Sequence, residues 1–116
     1  MAPPKVIHFE VVGKDGKALQ GFFADLFGWS FNTDNPGGYG ISSAEETGVA
    51  VGVGSTPDGS AGHVTGYVAV EDIDATLARA VELGGRVIQP KFSPAPNSSI
   101  ALLAGPEGHI VGLTEL

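Results

Sequence analysis

The feature that most constrains the fold of this chain is an internal repeat. One strand, one amphipathic helix and several short strands occur in the same order in both halves of the chain. Aligning the halves places His8 opposite Tyr67, an offset of 59 residues, and Val51 opposite Val111, an offset of 60. A period of this length with a matching order of elements indicates duplication of one βαβββ unit. The sequence therefore predicts an α+β fold made of two tandem modules.

The start of the first half shows the two periodicities most clearly. Ile7, Phe9 and Val11 fall on one face of a predicted strand, whereas His8 and Glu10 fall on the other. Apolar residues at helical spacing then form a stripe typical of an amphipathic helix. The residues of that stripe are Leu19, Phe22, Phe23, Leu26 and Phe27.

The helix ends carry recognisable residues. In the first half, Asp15 is a suitable N-cap of the helix and Gly28 a suitable residue to end it. In the second half, Asp72 is the corresponding N-cap and the two glycines at 84–85 end the helix. Gly21 lies inside the first helix, where glycine costs about 1 kcal/mol relative to alanine. We interpret this glycine as a sign of close packing.

The remaining strands are short and are separated by turn sequences. The composition of residues 55–62 is typical of a linker, and residues 93–99 are expected to form a flexible connection. We therefore predict one domain, residues 1–116, with module 1 at about residues 5–54 and module 2 at about residues 63–116. The predicted strands that follow the helices are Trp29–Asn32, Tyr39–Ser42, Gly48–Val53, Arg86–Gln89, Ile100–Leu103 and Ile110–Thr114.

Composition and charge exclude several classes of function. The chain has no cysteine, so it has neither disulfides nor thiolate metal sites. Its net charge is −7 and its six basic residues are scattered, which argues against a nucleic acid partner. No apolar run has the length of a signal peptide or a membrane span, so we expect no membrane partner and a cytoplasmic location.

Four segments, in this order, resemble those of the vicinal-oxygen-chelate superfamily, which includes glyoxalases, bleomycin-resistance proteins and extradiol dioxygenases. They are Ile7–Val11, Phe22–Trp29, Tyr67–Asp74 and Gly105–Val111, and with their connections they cover essentially the whole chain. The resemblance implies that the two βαβββ modules form a concave mixed sheet that holds a small ligand. It also implies a homodimer with pockets near the subunit interface.

Enzymes of this superfamily usually hold a divalent metal with one residue from each of four strands. The resemblance places His8 at the first ligand position, Ala50 or Gly52 at the fourth-strand position, Tyr67 at the fifth and Gly112 at the eighth. Tyrosine is an uncommon ligand at neutral pH, and alanine and glycine have no donor. One firm ligand falls short of the three that catalytic sites normally supply. We therefore expect no cofactor, with a divalent metal bound partly by His8 as the alternative.

Strand parity gives an independent prediction of the pocket. If the apolar face of the sheet packs against the helices, the opposite face of the sheet combines small residues with a few polar groups, as ligand sites do. That face carries His8, Glu10, Val12, Ala50, Gly52, Gly54, Tyr67, Ala69, Ile110, Gly112 and Thr114. The predicted ligand-binding residues are His8, Glu10, Trp29, Ala50, Gly52, Tyr67, Gly112 and Thr114.

The polar residues of this face have alternative interpretations. One interpretation gives His8 and Glu10 a function, orienting a polar ligand or acting as a weak acid–base pair; the alternative is that they only contact each other at a rim or dimer contact. Tyr67 either donates a hydrogen bond to a ligand or packs within the fold. Glu10 and Tyr67 are thus the candidate catalytic residues. We interpret His63 as linker surface and His109 as a residue that stabilises a hairpin.

Together these features favour a small-molecule-binding protein without the family metal, which sequesters or carries an apolar or aromatic ligand. One alternative is a lyase, isomerase or dioxygenase with a rebuilt metal site or with Glu10 or Tyr67 as acid or base. A second alternative is an interaction or regulatory domain whose concave face binds a protein partner.

Overall fold

A computed structural model of the chain describes residues 3–116. Within this range the chain forms two compact units, residues 8–64 and residues 3–7 with 65–116, called here the N-terminal and C-terminal units. None of the helices in residues 3–116 is long and apolar enough to cross a membrane. The elements are β1 (Val6–Gly13), α1 (Gly16–Phe27), β2 (Gly40–Ser42), α2 (Ala44–Thr47), β3 (Ala50–Ser55), β4 (His63–Val70), α3 (Ile73–Glu82), β5 (Arg86–Ala95), β6 (Ser98–Ala104) and β7 (Ile110–Glu115).

The N-terminal unit has its strands in the order β2-β3-β1. β1 and β3 run parallel, which sets His8 opposite Ala50 and Glu10 opposite Gly52. β2 is antiparallel to β3. Residues 51–54 of β3 are all buried, with Val51 and Val53 at 3% and 0% exposure, so both faces of this strand are covered.

The C-terminal unit has the order β4-β7-β6-β5. β4 and β7 are parallel, with Tyr67 opposite Gly112, and the other pairs are antiparallel. Helix α3 supplies Ile73 and Leu77 to the core. The buried cluster consists of Val70, Ile73, Leu77, Ala101 and Leu113, with Val68 and Leu103 packed against it.

The predicted helix ends are confirmed. The Asp15 carboxylate accepts a hydrogen bond from the Ala18 backbone N–H, and Gly28 ends α1 in the left-handed conformation. Asp72 caps α3 in the same way. These side chains satisfy backbone donors that a helix leaves unpaired in its first turn.

Three local predictions were wrong. Of the expected strand Trp29–Asn32, only Asn32 pairs, through an isolated bridge to Ile41. The short helix α2 was not predicted. Residues 93–99 are not a loose connection, because β5 continues to Ala95 and β6 begins at Ser98, joined by a tight turn in which Asn97 has a φ of 62°. Asparagine tolerates this left-handed conformation better than most residues.

The burial of the apolar stripe of α1 was also only partly predicted. Phe22, Leu26 and Phe27 are 58%, 58% and 56% exposed, so much of the apolar stripe is not covered by core. A Cβ placed on Gly21 would meet no atom of the described chain within 4 Å, beyond its chain neighbours and the helix backbone. Close packing therefore does not explain this glycine.

Candidate functional site

The predicted ligand-binding residues are divided between the two units. Each group lies on β-strands or next to them, and each unit is described separately. The N-terminal unit contains His8, Glu10, Trp29, Ala50 and Gly52. The C-terminal unit contains Tyr67, Gly112 and Thr114.

A hydrogen-bonded network runs across the polar face of β1 in the N-terminal unit. The Tyr39 hydroxyl donates to Glu10 Oε1 at 2.9 Å and lies 2.9 Å from His8 Nε2. A phenol has one proton to donate, so with that proton given to Glu10 the neutral His8 ring donates from Nε2 to the phenol oxygen. The rings of His8 and Tyr39 are also stacked, with centroids 6.2 Å apart. This contact brings His8 and Glu10 together through a third residue.

Two glycines of β3 make room for the Tyr39 side chain. A Cβ on Gly52 would overlap the Tyr39 hydroxyl, and one on Gly54 would lie 2.6 Å from the ring. The backbone of Tyr39 is fixed separately, because the Asn35 side chain accepts from its N–H at 3.0 Å and donates to its carbonyl at 2.7 Å. The glycines and the Asn35 turn therefore determine where the hydroxyl lies.

His63 completes the network at the other end of Glu10. Its Nε2 lies 3.0 Å from Glu10 Oε2, and the two side chains are 21% and 12% exposed. The interpretation of His63 as linker surface was therefore wrong, because this residue begins β4 and binds a side chain of β1. Both carboxylate oxygens of Glu10 have a partner, one phenol and one imidazole.

The protonation of His8 follows from its surroundings. Burial lowers the pKa of His8 below its ordinary value, and the nearby Glu10 carboxylate raises the pKa by a smaller amount. The neutral imidazole is therefore favoured at neutral pH. A neutral imidazole, a phenol and a carboxylate in one chain of hydrogen bonds can orient a polar ligand group or exchange a proton with it.

Few of the residues that the resemblance places at the family's metal positions have a donor side chain. His8 and Tyr67 have donor side chains, but Ala50, Gly52 and Gly112, the residues paired with β1 and β4, have none. Within residues 3–116 no group of three or more histidine, aspartate or glutamate side chains is arranged to hold a metal ion. A zinc-type catalytic centre normally needs three protein ligands.

In the C-terminal unit, Tyr67 lies over a glycine. Its side chain is buried, at 6% exposure, and a Cβ on Gly112 would lie 2.6 Å from the ring. Gly112 thus has the same relation to Tyr67 that Gly52 and Gly54 have to Tyr39. Thr114 is half-buried on the same strand as Gly112. In both units, small residues on one strand accept an aromatic ring from another segment.

Two other aromatic or imidazole residues have contacts of a different kind. Trp29 packs against Phe27 and Phe23, with centroids 4.8 and 6.0 Å away, and meets Phe31 edge to face. His109 is exposed, and its carbonyl accepts from the Gly105 N–H in the turn before β7.

Tyr39 is the site residue that the sequence analysis missed. It follows a glycine-rich turn, and neither its position nor its spacing marks it as functional. The signal that could have found it is the pair Gly52 and Gly54, which leaves a ring-sized space on the same face of the sheet as His8.

Comparison with known proteins identifies the family. The model of the Glyoxalase-like domain matches residues 9–114. The proteins named "Putative glyoxylase CFP32" from Mycobacterium bovis and Mycobacterium tuberculosis are 35% identical over 107 residues, which cover 85% of this chain and 41% of the relative. The chain thus spans about two fifths of the length of these curated relatives.

Solved structures show the same fold at low identity. Methylmalonyl-CoA epimerase from Mycobacterium tuberculosis superposes with a TM-score of 0.65 at 17% identity, covering 99% of this chain and 91% of the epimerase. A glyoxalase/bleomycin resistance protein/dioxygenase superfamily member from Vibrio splendidus gives 0.61 at 19% identity, covering 97% and 98%. The predicted α+β fold is confirmed. The chain belongs to the Glyoxalase-like domain family of the vicinal-oxygen-chelate superfamily.

Proposed function

We propose that this chain binds an apolar or aromatic small molecule through a polar group, without the family metal, and sequesters or carries it. The observation that carries the proposal is the Tyr39 hydroxyl, which bridges His8 and Glu10 where Gly52 leaves space for it. Ligand sites typically combine apolar walls with a few fixed polar groups, and this face has that composition.

The fixed positions of the polar groups favour binding. The Tyr39 backbone is held by the Asn35 side chain, and the Glu10 carboxylate is held by Tyr39 and His63. Groups that are already ordered lose little conformational entropy when a ligand arrives. Partial burial also strengthens hydrogen bonds relative to those in water. A neutral polar ligand group, such as a carbonyl, an amide or a phenol, suits this mixture of donors and acceptors.

The side chains at the four family metal positions support ligand binding without a metal. His8 and Tyr67 are the donor side chains at the four family positions, and His8 Nε2 already contacts the Tyr39 hydroxyl. Holding a divalent ion would require further ligands and displacement of that contact. Ligand binding is therefore expected to survive a strong chelator.

A thermal-shift screen with neutral aromatic ketones, amides and phenols, run with and without EDTA, tests the proposal. We expect at least one compound class to raise the melting temperature equally in both conditions, because a ligand that binds the native state stabilises it. Tyr39→Phe and Glu10→Gln should abolish the shift. Glu45→Gln, which removes the same charge from an exposed residue of α2, should keep it.

The outcomes separate the rival functions. A shift that requires added divalent metal and disappears in His8→Ala would favour a rebuilt metal site. No response to any compound, together with loss of a protein complex when Tyr67 is replaced by Asp, would favour an interaction domain. Either result would contradict ligand binding without a metal.

A second candidate function is acid–base catalysis at the same network. The specific observation is that the Glu10 carboxylate lies between a phenol and an imidazole, an arrangement able to take a proton and pass it on. An isomerase would exchange an acidic C–H of its substrate with solvent. Deuterium incorporation from D2O into a bound ketone, lost in Glu10→Gln and kept in Glu45→Gln, would establish catalysis. Binding without exchange would leave carriage or sequestration.

We also propose that the chain forms a homodimer and acts in the cytoplasm. The exposed side chains of Leu26 and Phe27 on α1 support self-association, because large apolar residues at more than half exposure favour burial. Sedimentation velocity at several concentrations tests the dimer. A monomer at all concentrations would contradict it.

A further inference from the structure

The N-terminal unit has a concave region whose lining includes His63 but not Tyr39. It is an open groove of about 560 Å³ between the end of β1, the first turns of α1 and the segment Ala61–Val64. Its volume falls in the range of pockets that bind small molecules.

The walls of the groove are mainly apolar. Val11 and Leu19 are half-buried, whereas Phe22 and Val64 are 58% and 59% exposed. An apolar ligand lying against these side chains would remove their exposed surface from water. Burial of apolar surface stabilises a complex by about 25 cal/mol per Å² before the costs of association. The groove therefore suits a ligand with an apolar body.

The charged groups around the groove differ in whether they already have a partner. The Asp15 carboxylate caps α1, where the partial positive charge of the helix end complements it. His63 is bound to Glu10. Among residues 3–116, the Lys14 ammonium group has no ion pair. Lys14 is therefore the charged group of the lining that is available to an anionic group of a ligand.

We propose that this groove binds a small apolar carboxylate. The ligand's carboxylate contacts the Lys14 ammonium group, and its aliphatic or aromatic body lies against Leu19, Phe22 and Val64. This site is separate from the Tyr39 hydroxyl and takes an anion rather than a neutral polar group. It does not depend on the function proposed above.

The probe for this site is 4-phenylbutyrate, with 4-phenylbutanamide as its uncharged counterpart. Titration of isotope-labelled protein, followed by backbone amide NMR, should show saturable shifts in residues 11–22 and 61–64. We expect the amide to bind about threefold more weakly, the loss of one exposed charge interaction. Equal affinity for acid and amide, or shifts centred elsewhere, would overturn the proposal.

Matched variants locate the binding determinants. Lys14→Gln should weaken 4-phenylbutyrate binding about threefold, whereas Lys17→Gln, which removes the same charge from an α1 residue outside the groove, should not. Phe22→Ser should weaken binding and Phe27→Ser should not, although both rings are similarly exposed on α1. Equal losses of affinity in the two lysine variants would show non-specific attraction to charge. Equal losses in the two phenylalanine variants would show non-specific attraction to the aromatic face of α1. Absence of saturable binding in the wild-type protein would also refute the site.

Discussion

Glu10 and His63 are 53 residues apart in the chain, yet Glu10 Oε2 lies 3.0 Å from His63 Nε2. The contact joins the start of β4 to the middle of β1 within the N-terminal unit. The same carboxylate accepts from the Tyr39 hydroxyl, so one side chain holds two segments that sequence patterns treat as unrelated. Glu10 is consequently the centre of the network, and its neighbours determine what it can bind.

Replacing Tyr39 by phenylalanine tests the bridge between His8 and Glu10. The ring still fills the space over Gly54, but the hydroxyl that joins two partly buried groups is lost. We expect the free energy of unfolding to fall by about 1 to 2 kcal/mol, the cost of breaking hydrogen bonds at such a position. Urea denaturation measures this change. Tyr39→Ala should cost more because it also removes the ring, and an equal effect of both variants would contradict the assigned role of the hydroxyl.

Adding a methyl group at Gly52 tests whether the space for Tyr39 is required. The new Cβ would overlap the Tyr39 hydroxyl and lie 2.5 Å from His8 Nε2, so the Tyr39 side chain must move away. We expect a loss of about 1 to 3 kcal/mol in unfolding free energy, as in other overpacked sites. Gly37→Ala is the control, because its nearest contact would be the Asn35 side chain at 4.0 Å. If both variants were equally stable, the Tyr39 position would be wrong.

Much of the fold could be predicted because local patterns and tertiary structure agree. The alternation around Ile7 and the cap at Asp72 are local signals, and the structure confirms the β1 strand and the α3 start that they predict. The offset between His8 and Tyr67 gave the order of the modules without any contact information.

The polar network could not be predicted because it depends on tertiary contacts. Whether Tyr39 reaches His8 depends on the conformation of the turn at Asn35 and on space above Gly52, and neither follows from periodicity. The contact of His63 with Glu10 likewise depends on the path of the linker, which periodicity does not determine. The missing strand at Trp29 has a different cause, since aromatic packing with α1 replaced strand pairing there.

Gly21 offers a test of a corrected interpretation. A Cβ at this position would meet open space, so the glycine brings only its conformational cost within α1. We expect Gly21→Ala to raise the free energy of unfolding by about 0.5 to 1 kcal/mol. Thermal denaturation monitored by circular dichroism measures the gain. A destabilised variant would indicate a partner over this part of the helix.

The cap of α1 can be tested with a matched pair of aspartates. Asp15→Ala removes the acceptor for the Ala18 N–H and should lower stability by about 1 kcal/mol. Asp25→Ala changes an exposed residue in the last turns of the same helix and should stay within about 0.5 kcal/mol of wild type. Equal effects would mean that general charge, not the cap, is responsible.

The lowered pKa of His8 predicts an acid-sensitive component of stability. Because burial depresses the pKa of His8 in the folded protein, the unfolded chain binds a proton first as the pH falls below the ordinary value of 6.5. Above pH 6.5, His8 should therefore have no effect on the free energy of unfolding. Below that pH, the free energy of unfolding should decrease as the pH falls towards the pKa of His8 in the folded protein. Urea denaturation between about pH 8 and pH 5 measures the slope around the ordinary histidine range. His8→Gln should reduce the slope, whereas His109→Gln, at an exposed position, should not, and an unchanged slope in His8→Gln would contradict the burial of that imidazole.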